Sequence, residues 1–156
     1  MLKIIKKNKV IIGGTFDVLH AGHKSLLKRA FNLGETTIGL TSNRMAEKTK
    51  KRKVRNFQNR KRELEKFIKK ELKSGFKIIK IEDKFGPTLK EDFDYIVVSP
   101  ATYKTAQLIN KKRRKVSKKP IKIVKIKFVL AENGKPVSAT QILKGLMTKE
   151  GKLVKK

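Results

Sequence analysis

Short apolar runs alternate along the chain with stretches in which apolar residues recur at helical spacing. The runs predict five strands, which lie at residues 10–12, 36–40, 76–81, 95–98 and 121–129. The helical stripes predict helices after Gly22, from Asn56, from Ala101 and from Ser138. Strict alternation adds a helix between the third and fourth strands, which gives the order β-α-β-α-β-α-β-α-β-α. This order predicts a single α/β domain, Rossmann-like, with a doubly wound, five-stranded parallel sheet.

The two ends of the chain are expected to lie outside this domain. Residues 1–8 are predicted to be a basic N-terminal extension, and residues 9–147 the folded domain. Residues 148–156 are basic and are expected to be a frayed C-terminal tail. No repeat with a period of 20–50 residues appears, so the chain does not have the pattern of a repeat protein.

Length and composition exclude several classes of protein. At 156 residues the chain is long enough to bury a core but too short for a multidomain synthetase or a polymerase. It has no run of about 18 apolar residues that would span a membrane, and no secretory leader is recognised before Gly13. The absence of cysteine excludes disulfides and thiolate metal sites. A cytoplasmic protein with no membrane association is expected.

Charge is the unusual property of the composition. Lysine and arginine number 42 against 13 acidic residues, which gives a formal net charge of +29. The excess is densest in residues 48–55 and 111–119, and such blocks are solvated unless a polyanion binds them. Nucleic acid and phosphorylated substrates are candidate partners, with heavy use of lysine as the alternative that needs no function. Weak, non-specific polyanion binding is expected.

Residues 13–23 carry the candidate chemistry. With the sequence GGTFDVLHAGH they lie between the first predicted strand and the first helix, at the edge where open α/β sheets bind ligands. Paired glycines let the backbone approach a phosphate, and a helix N-terminus offers free N–H groups to an anion. His20 and His23, the two histidines of the chain, are spaced so that both imidazoles can face one phosphate. The stretch predicts a site for phosphorylated ligands.

This stretch resembles the signature of the nucleotidyltransferases that share the His-x-Gly-His motif with class I aminoacyl-tRNA synthetases. Four further segments are similar, in the same order, to archaeal phosphopantetheine adenylyltransferases, and they lie at residues 39–42, 96–99, 102–104 and 137–142. The resemblance extends over residues 9–146. It implies that the chain transfers the adenylyl group of ATP to 4′-phosphopantetheine, giving dephospho-coenzyme A and pyrophosphate, by direct in-line attack without a covalent intermediate.

The resemblance also implies roles for individual residues. His20 and His23 are implied to be catalytic, as donors to the ATP phosphates. The residues implied to bind the nucleotide are Gly14, Thr15, Phe16, Gly22, Ser138 and Thr140. Those implied to bind the acceptor are Thr15, Thr41, Ser42, Lys48, Ser99 and Tyr103. Lys50 and Lys51 compete with Lys48 for the acceptor phosphate, and their spacing does not choose among them.

The segment at residues 137–142 departs from the family's pattern. Ala139 stands where the family has a hydroxyl, and Leu143 stands where it has an arginine. One hydroxyl and one guanidinium are therefore missing from the groups that would bind the triphosphate. Lys144 follows, one position further round the helix, and it lacks the guanidinium fork.

The implied chemistry depends on positioning rather than on acid–base catalysis. A phosphate acceptor is already an anionic nucleophile, so no general base is required, and the enzyme must hold two anions together. Mg²⁺ is expected to arrive with ATP, because no cluster of carboxylates suggests a resident metal site. Asp17 is expected to fix its loop rather than to bind a ligand.

Other functions remain open at this point. The first motif is shared with FMN adenylyltransferases and CTP-dependent cytidylyltransferases, and only the segments around Ser99, Tyr103 and Ser138 favour phosphopantetheine. A basic nucleic-acid-binding protein on the same scaffold is a third hypothesis. Against it, the chain has no Trp, two Tyr and no aromatic ladder among its lysines on which bases could stack.

Overall fold

Five parallel strands form one sheet in the computed structural model, which describes residues 7–154. The strands are β1 (Lys9–Gly14), β2 (Glu35–Thr41), β3 (Phe76–Ile81), β4 (Tyr95–Val98) and β5 (Lys122–Lys125). Their order in the sheet is β3-β2-β1-β4-β5, and every neighbouring pair is parallel. This confirms the expected Rossmann-like sheet, with β1 at its centre.

Helices cover both faces of this sheet. They are α1 (Ala21–Leu33), α2 (Asn43–Lys50), α3 (Phe57–Phe67), α4 (Tyr103–Lys115) and α5 (Ala139–Leu143). The side chains of β1 alternate between the faces: Val10 and Ile12 pack into an apolar cluster with α1 and α3, whereas Ile11 packs into a second cluster with α4. The central strand is therefore buried on both sides, as its apolar sequence requires.

The connection from β3 to β4 differs from the helix that strict alternation predicted. Residues 84–90 form consecutive turns, and the Asp83 carboxylate accepts the backbone N–H groups of Phe85 and Gly86 at 2.8 and 3.0 Å. Gly86 has a φ of +51°, and Pro87 follows it. An aspartate that takes nearby backbone donors competes with a helix, and the glycine and proline add to that preference.

Two other element boundaries differ from the prediction. No helix was predicted between the second strand and Asn56, but α2 forms there and includes the start of the first basic block, with the Ser42 hydroxyl capping it by accepting the Met45 N–H at 3.1 Å. β5 ends at Lys125 instead of near residue 129, because its partner β4 ends at Val98 and offers no further residues for pairing.

Residues 148–154 do not fray as expected. Met147 and Leu153 form an antiparallel bridge, and the Ala21 N–H at the start of α1 donates to the Lys149 carbonyl at 3.0 Å. Gly151 is buried with a φ of +91°, so the turn of this small hairpin depends on a glycine. Packing against α1 therefore orders a segment whose composition alone suggested a tail.

Parts of the predicted extension and tail, residues 1–6 and 155–156, lie outside the described residues. The domain limits expected near residues 8 and 148 therefore stay predictions. Within residues 7–154, no helix combines the length and the apolar character needed to cross a bilayer.

Candidate active site

A cleft of about 320 Å³ opens at the carboxyl ends of β1 and β4. Its walls are the loop after β1, the start of α1, residues 126–129 and the start of α5. This is the edge at which the sequence predicted a ligand site, because the loops that follow parallel strands gather there.

Phe16 shapes the turn that follows β1. It is buried, and its backbone is left-handed with a φ of +48°, a conformation that costs free energy in any residue other than glycine. Packing of its ring, whose centroid is 4.9 Å from that of the His23 imidazole, offsets this cost. Gly14 makes the arrangement possible, because a Cβ at that position would lie 2.8 Å from the Phe16 ring.

His20 and His23 form a reciprocal cap at the start of α1. The Nδ1 atom of His20 accepts the backbone N–H of Gly22 at 3.0 Å and that of His23 at 3.4 Å. In return, Nδ1 of His23 accepts the backbone N–H of His20 at 3.4 Å. The two rings stack with centroids 3.7 Å apart. The pair thus performs the role that a serine and a glutamate perform in an ordinary capping box.

This cap determines where each imidazole carries its proton. A ring nitrogen that accepts an N–H bears no proton, so in the neutral form each proton is on Nε2. Burial, with repulsion from Lys50 as the second cause, lowers the pKa of His20 to about 4. Burial, followed by the proximity of His20, lowers the pKa of His23 to about 3. At neutral pH both rings are therefore uncharged and each has one Nε2–H donor.

Gly22 provides the space that the His20 ring occupies. A Cβ on Gly22 would lie 2.9 Å from Cε1 and 3.1 Å from Nδ1 of His20. A side chain there would push the imidazole out of the cap. The glycine between the two histidines thus has a structural reason in addition to the room for the nucleoside that the resemblance implies.

Arg60 holds the loop after β1 in place from the buried side of that loop. Its side chain is fully buried, and Nη1 donates to the carbonyl oxygens of Thr15 at 3.0 Å and Thr41 at 2.9 Å. The Thr41 hydroxyl donates to the Thr15 hydroxyl at 3.0 Å. Burial lowers the pKa of Arg60, but a guanidinium stays charged in proteins. Arg60 therefore joins the ends of β1 and β2 through charge-assisted hydrogen bonds.

Asp17 joins the same loop to the basic segment after α2. Its buried carboxylate accepts Nη1 of Arg52 at 2.7 Å through Oδ2 and the backbone N–H of Arg55 at 3.0 Å through Oδ1. Burial alone would raise the pKa of Asp17, but the hydrogen bonds from these two arginines outweigh it and the pKa is lowered. Both carboxylate oxygens are engaged, in agreement with the loop-fixing role expected of this residue.

The cleft has an excess of positive charge. Among the described residues that line it, Asp17 is the one acid, and that acid is already paired. Lys50 also lines the cleft, and desolvation, followed by repulsion from Arg52, lowers its pKa. A bound phosphate chain would counter the repulsion by adding negative charge. Of the three lysines that the sequence left open, Lys50 rather than Lys48 or Lys51 reaches the cleft.

The structure brings most of the predicted site residues together. Those that line the cleft are Gly14, Thr15, Phe16, His20, Gly22, His23, Ser99, Ser138 and Thr140. They come from three separate parts of the chain, at residues 14–23, 99 and 138–140. The set contains all of the residues implied to bind the nucleotide and two of those implied to bind the acceptor.

Four residues implied to bind the acceptor lie outside the lining of the cleft in the described part of the chain. Thr41 is buried behind Thr15, and Ser42 caps α2 and donates to the Glu82 carboxylate at 2.9 Å. Lys48 is exposed on α2. Tyr103, the first residue of α4, packs against the second apolar cluster. A direct contact between any of these four and the acceptor stays a prediction.

Two arginines close to the site were missed from the sequence. Arg60 occupies the apolar stripe of α3, between Phe57 and Leu64, and a charged residue on such a stripe is the signal that could have found it. Arg52 stands among lysines, and nothing in the local sequence distinguishes it from them.

Comparison of the sequence with known proteins gives a consistent result. A sequence profile described as cytidylyltransferase-like matches residues 11–145. Phosphopantetheine adenylyltransferase from Methanosarcina acetivorans is 44% identical over 150 residues, which cover 93% of this chain and 95% of that one. The protein of the same name from Archaeoglobus fulgidus is 43% identical over 150 residues, which cover 94% and 99% of the two chains.

Comparison of the structure with solved structures agrees with the sheet topology. The crystal structure of a protein with unknown function from Archaeoglobus fulgidus has a TM-score of 0.72 at 43% identity, covering 76% of this chain and 88% of that one. Pantoate-beta-alanine ligase from Francisella tularensis has a TM-score of 0.60 at 15% identity, covering 93% and 68% of the two chains. At that low identity the second likeness shows the Rossmann-like fold alone.

Proposed function

Because the chain belongs to the archaeal phosphopantetheine adenylyltransferases, within the cytidylyltransferase-like family, we propose that its histidine-lined cleft is the place of adenylyl transfer. The reaction is transfer of the adenylyl group of ATP to 4′-phosphopantetheine in coenzyme A synthesis. Its products are dephospho-coenzyme A and pyrophosphate.

The acceptor phosphate attacks without a general base, because it is already an anion. In the proposed step, one of its oxygens forms a bond to the α-phosphorus of ATP while the bond to the bridging oxygen on the opposite side breaks. Pyrophosphate leaves with the electron pair of that bond. The task of the protein is to align the two anions and to stabilise the charge that shifts toward the leaving group.

The reciprocal cap formed by His20 and His23 is the observation that carries this proposal. With Nδ1 of both rings engaged by backbone N–H groups, His20 and His23 each have an Nε2–H to donate to a phosphate oxygen. Donors that are fixed before the reaction need little reorganisation during it. Such preorganisation is the main source of electrostatic catalysis. We assign His23 to the reacting α-phosphate and His20 to a phosphate oxygen further from the reacting bond.

Ser138 and Thr140 are assigned to the β- and γ-phosphates. The Ser138 hydroxyl accepts the Gln141 N–H at 3.4 Å, and the Thr140 hydroxyl accepts Nε of Arg52 at 3.3 Å. In these hydrogen bonds both hydroxyl oxygens act as acceptors, so their own protons are available for phosphate oxygens. The backbone at Gly14, which lines the same cleft, completes this group of contacts.

Thr15 and Lys50 are assigned to the acceptor phosphate. Thr15 is held at the cleft by the Thr41 hydroxyl and by Arg60, so its position is fixed before the substrate binds. Lys50 takes the place that the resemblance gave to Lys48, because Lys50 is the one of the two that lines the cleft. Ser99, on the wall formed after β4, is assigned to the same substrate.

We propose that Mg²⁺ enters the cleft with the phosphates of ATP. In the described part of the chain, no group of three or more histidine, cysteine or acidic side chains is arranged to hold a metal ion. Asp17, the acid in the cleft wall, has both oxygens in contact with Arg52 and Arg55. Because Asp17 is occupied in this way, the cleft suits a metal ion that the substrate carries. When bound, that ion would neutralise part of the charge on the phosphate chain.

The basic surface is proposed to bind polyanions weakly and without sequence preference. The second basic block covers the end of α4, where Lys111, Lys112 and Lys115 are exposed. Arg113 of the same block is buried and donates to the Thr88 carbonyl, so it is not available to a ligand. The block therefore offers exposed lysines that can contact phosphates without reading base sequence.

A matrix of two nucleotides and three acceptors tests the proposed reaction. ATP and CTP are each paired with 4′-phosphopantetheine, FMN and glycerol phosphate, and pyrophosphate release is followed. We expect turnover with ATP and 4′-phosphopantetheine, and with none of the other pairs. The His23→Ala chain, purified in the same way, controls for contaminating enzymes. Turnover by another pair while ATP and 4′-phosphopantetheine are silent would contradict the proposal.

A further inference from the structure

Arg52 has a buried nitrogen with unused hydrogen-bonding capacity. In the described part of the chain, its Nη2 is the one buried side-chain nitrogen or oxygen without a hydrogen-bond partner. A guanidinium nitrogen that is removed from water and left unpaired is unfavourable, and native proteins rarely keep such a group without a reason. Arg52 is not among the described residues that line the cleft, but two of its hydrogen-bond partners, Asp17 and Thr140, are.

The rest of the guanidinium is firmly anchored between two walls of the cleft. Nη1 donates to Oδ2 of Asp17 at 2.7 Å and to the Lys53 carbonyl at 3.1 Å. Nε donates to the Thr140 hydroxyl at 3.3 Å. Asp17 and Thr140 both line the cleft, one after β1 and the other in α5. Arg52 therefore links the two segments of the chain between which the phosphates are proposed to lie.

The start of α5 otherwise has no positive side chain of its own. The helix has the sequence ATQIL, and Lys144 follows it at the opposite end, where it is exposed. The cation next to Thr140 is supplied instead by Arg52, which is distant in sequence. A guanidinium also offers donors in a planar fork, which suits a phosphate better than an ammonium does.

We propose that Arg52 binds the phosphate chain of ATP through Nη2, while Asp17 holds the guanidinium in place. The inference rests on the proposed function and adds a substrate-binding residue to it. Because Nη2 is shielded from solvent, side chains at the cleft wall shift slightly when the nucleotide binds. A phosphate oxygen then becomes the acceptor that Nη2 otherwise lacks.

Binding measurements with ATP and AMP, made without the acceptor, test this proposal. Arg52→Gln is expected to weaken ATP binding by roughly ten- to a hundredfold, the range for a hydrogen bond to a charged group, and to change AMP binding by less than about threefold. Arg52→Lys keeps the charge beside Asp17 but lacks the fork, so it is expected to lie between Arg52→Gln and the unaltered chain. Thermal unfolding of each variant shows whether it is folded, and Arg52→Lys decides the question if Arg52→Gln does not fold.

Two further arginine variants separate a phosphate contact from a structural or a general charge effect. Arg62→Gln removes one exposed positive charge from α3, and it is expected to leave ATP binding within about twofold. Arg55→Gln removes another guanidinium partner of Asp17, and a smaller loss of ATP affinity than that of Arg52→Gln is expected.

Several outcomes would overturn the role assigned to Arg52. They are unchanged ATP affinity in the Arg52 variants, an equal loss for ATP and AMP, or an equal loss in Arg55→Gln. Failure of the proposed function itself gives a different result, since the unaltered chain would then be silent with ATP and 4′-phosphopantetheine whatever the Arg52 variants do.

Discussion

The Nδ1 atoms of His20 and His23 each accept the backbone N–H of the other residue, while the two rings stack 3.7 Å apart. The groups assigned to the phosphates are therefore also the cap of α1. This arrangement joins stability to catalysis, because a change that moves one ring removes its hydrogen bond to the backbone N–H of the other residue. It also means that variants must be chosen to separate the two effects.

His23→Ala is expected to lower kcat by about 10²–10³-fold, the scale for losing one preorganised donor at the reacting centre. His20→Ala is expected to lower kcat less, because its donor is assigned further from the reacting bond, but to destabilise the fold by roughly 1 kcal/mol as a lost helix cap. His20→Asn restores a good capping side chain and is expected to recover the stability without the rate. Steady-state kinetics and thermal unfolding measure the two effects, and unchanged rates in both alanine variants would remove the histidines from the mechanism.

The two imidazoles are expected to titrate far below an ordinary histidine, whose pKa is 6.5. Because the folded-state pKa values of about 4 and about 3 are depressed, the unfolded chain takes up protons first as the pH falls. Their contribution to stability is thus complete above pH 6.5 and is lost as the pH falls from 6.5 through about 4 and about 3.

NMR titration checks this prediction directly, since the chain has two histidines and one variant at each position assigns both signals. ATP is expected to raise both pKa values, because its phosphates stabilise the protonated rings. Two histidines that titrate near 6.5 in the free protein would contradict the locked, neutral pair.

Gly22→Ala is expected to lower kcat at least tenfold while the chain remains folded. The new Cβ would lie 2.9 Å from Cε1 of His20, so the imidazole must leave its place in the cap. Gly75→Ala is the matched control, because a Cβ there meets nothing within 4 Å, and its kcat is expected to be unchanged. Equal activity of the two variants would show that the position of the His20 ring is unimportant for the reaction.

Thr140→Ala is expected to raise the KM for ATP more than the KM for 4′-phosphopantetheine. The hydroxyl is assigned to the phosphate chain, and its loss also leaves Nε of Arg52 without its hydrogen-bond acceptor. Thr49→Ala, which removes a hydroxyl from the exposed side of α2, is the control and is expected to leave both constants unchanged. A loss confined to 4′-phosphopantetheine would contradict the assignment of Thr140 to ATP.

The part of the site that could be predicted from the sequence is the part made by neighbouring residues. The glycines, the two histidines and the start of α1 lie in one strand–turn–helix unit, so their order in the chain nearly fixes their order in space. Arg60 and Arg52 act on Thr15, Asp17 and Thr140 from other segments, and such contacts depend on tertiary packing.

The same distinction explains the differences in the fold. Five strands follow from local apolar runs, whereas the Asp83 turn and the end of β5 depend on particular hydrogen bonds and on the length of a neighbouring strand. The hairpin at residues 148–154 contacts the start of α1 through the hydrogen bond from the Ala21 N–H to the Lys149 carbonyl, a tertiary contact that no local pattern predicts.

The excess charge is expected to produce polyanion binding that is measurable at low salt and largely absent near physiological salt. The blocks at residues 48–55 and 111–119 are rich in lysine, but Arg52 is held by Asp17 and Arg113 is buried. The charges that remain are spread over separate elements, so few of them can follow one phosphate backbone. Affinity for duplex DNA and for RNA is measured against salt, and its logarithm is expected to fall linearly with the logarithm of the salt concentration, with a small slope.

The same salt series, applied to the reaction, separates steering of small anions from a second function. If the lysines only steer substrates, salt is expected to lower kcat/KM modestly and to leave kcat almost unchanged, because screening acts on the approach of the substrate and not on the bound complex. DNA and RNA of different sequences are expected to bind equally, since phosphate contacts carry no sequence information. Sequence-selective or sub-micromolar binding that persists at physiological salt would overturn this interpretation, because it requires base contacts and a continuous surface. The charge would then serve a second function beside adenylyl transfer.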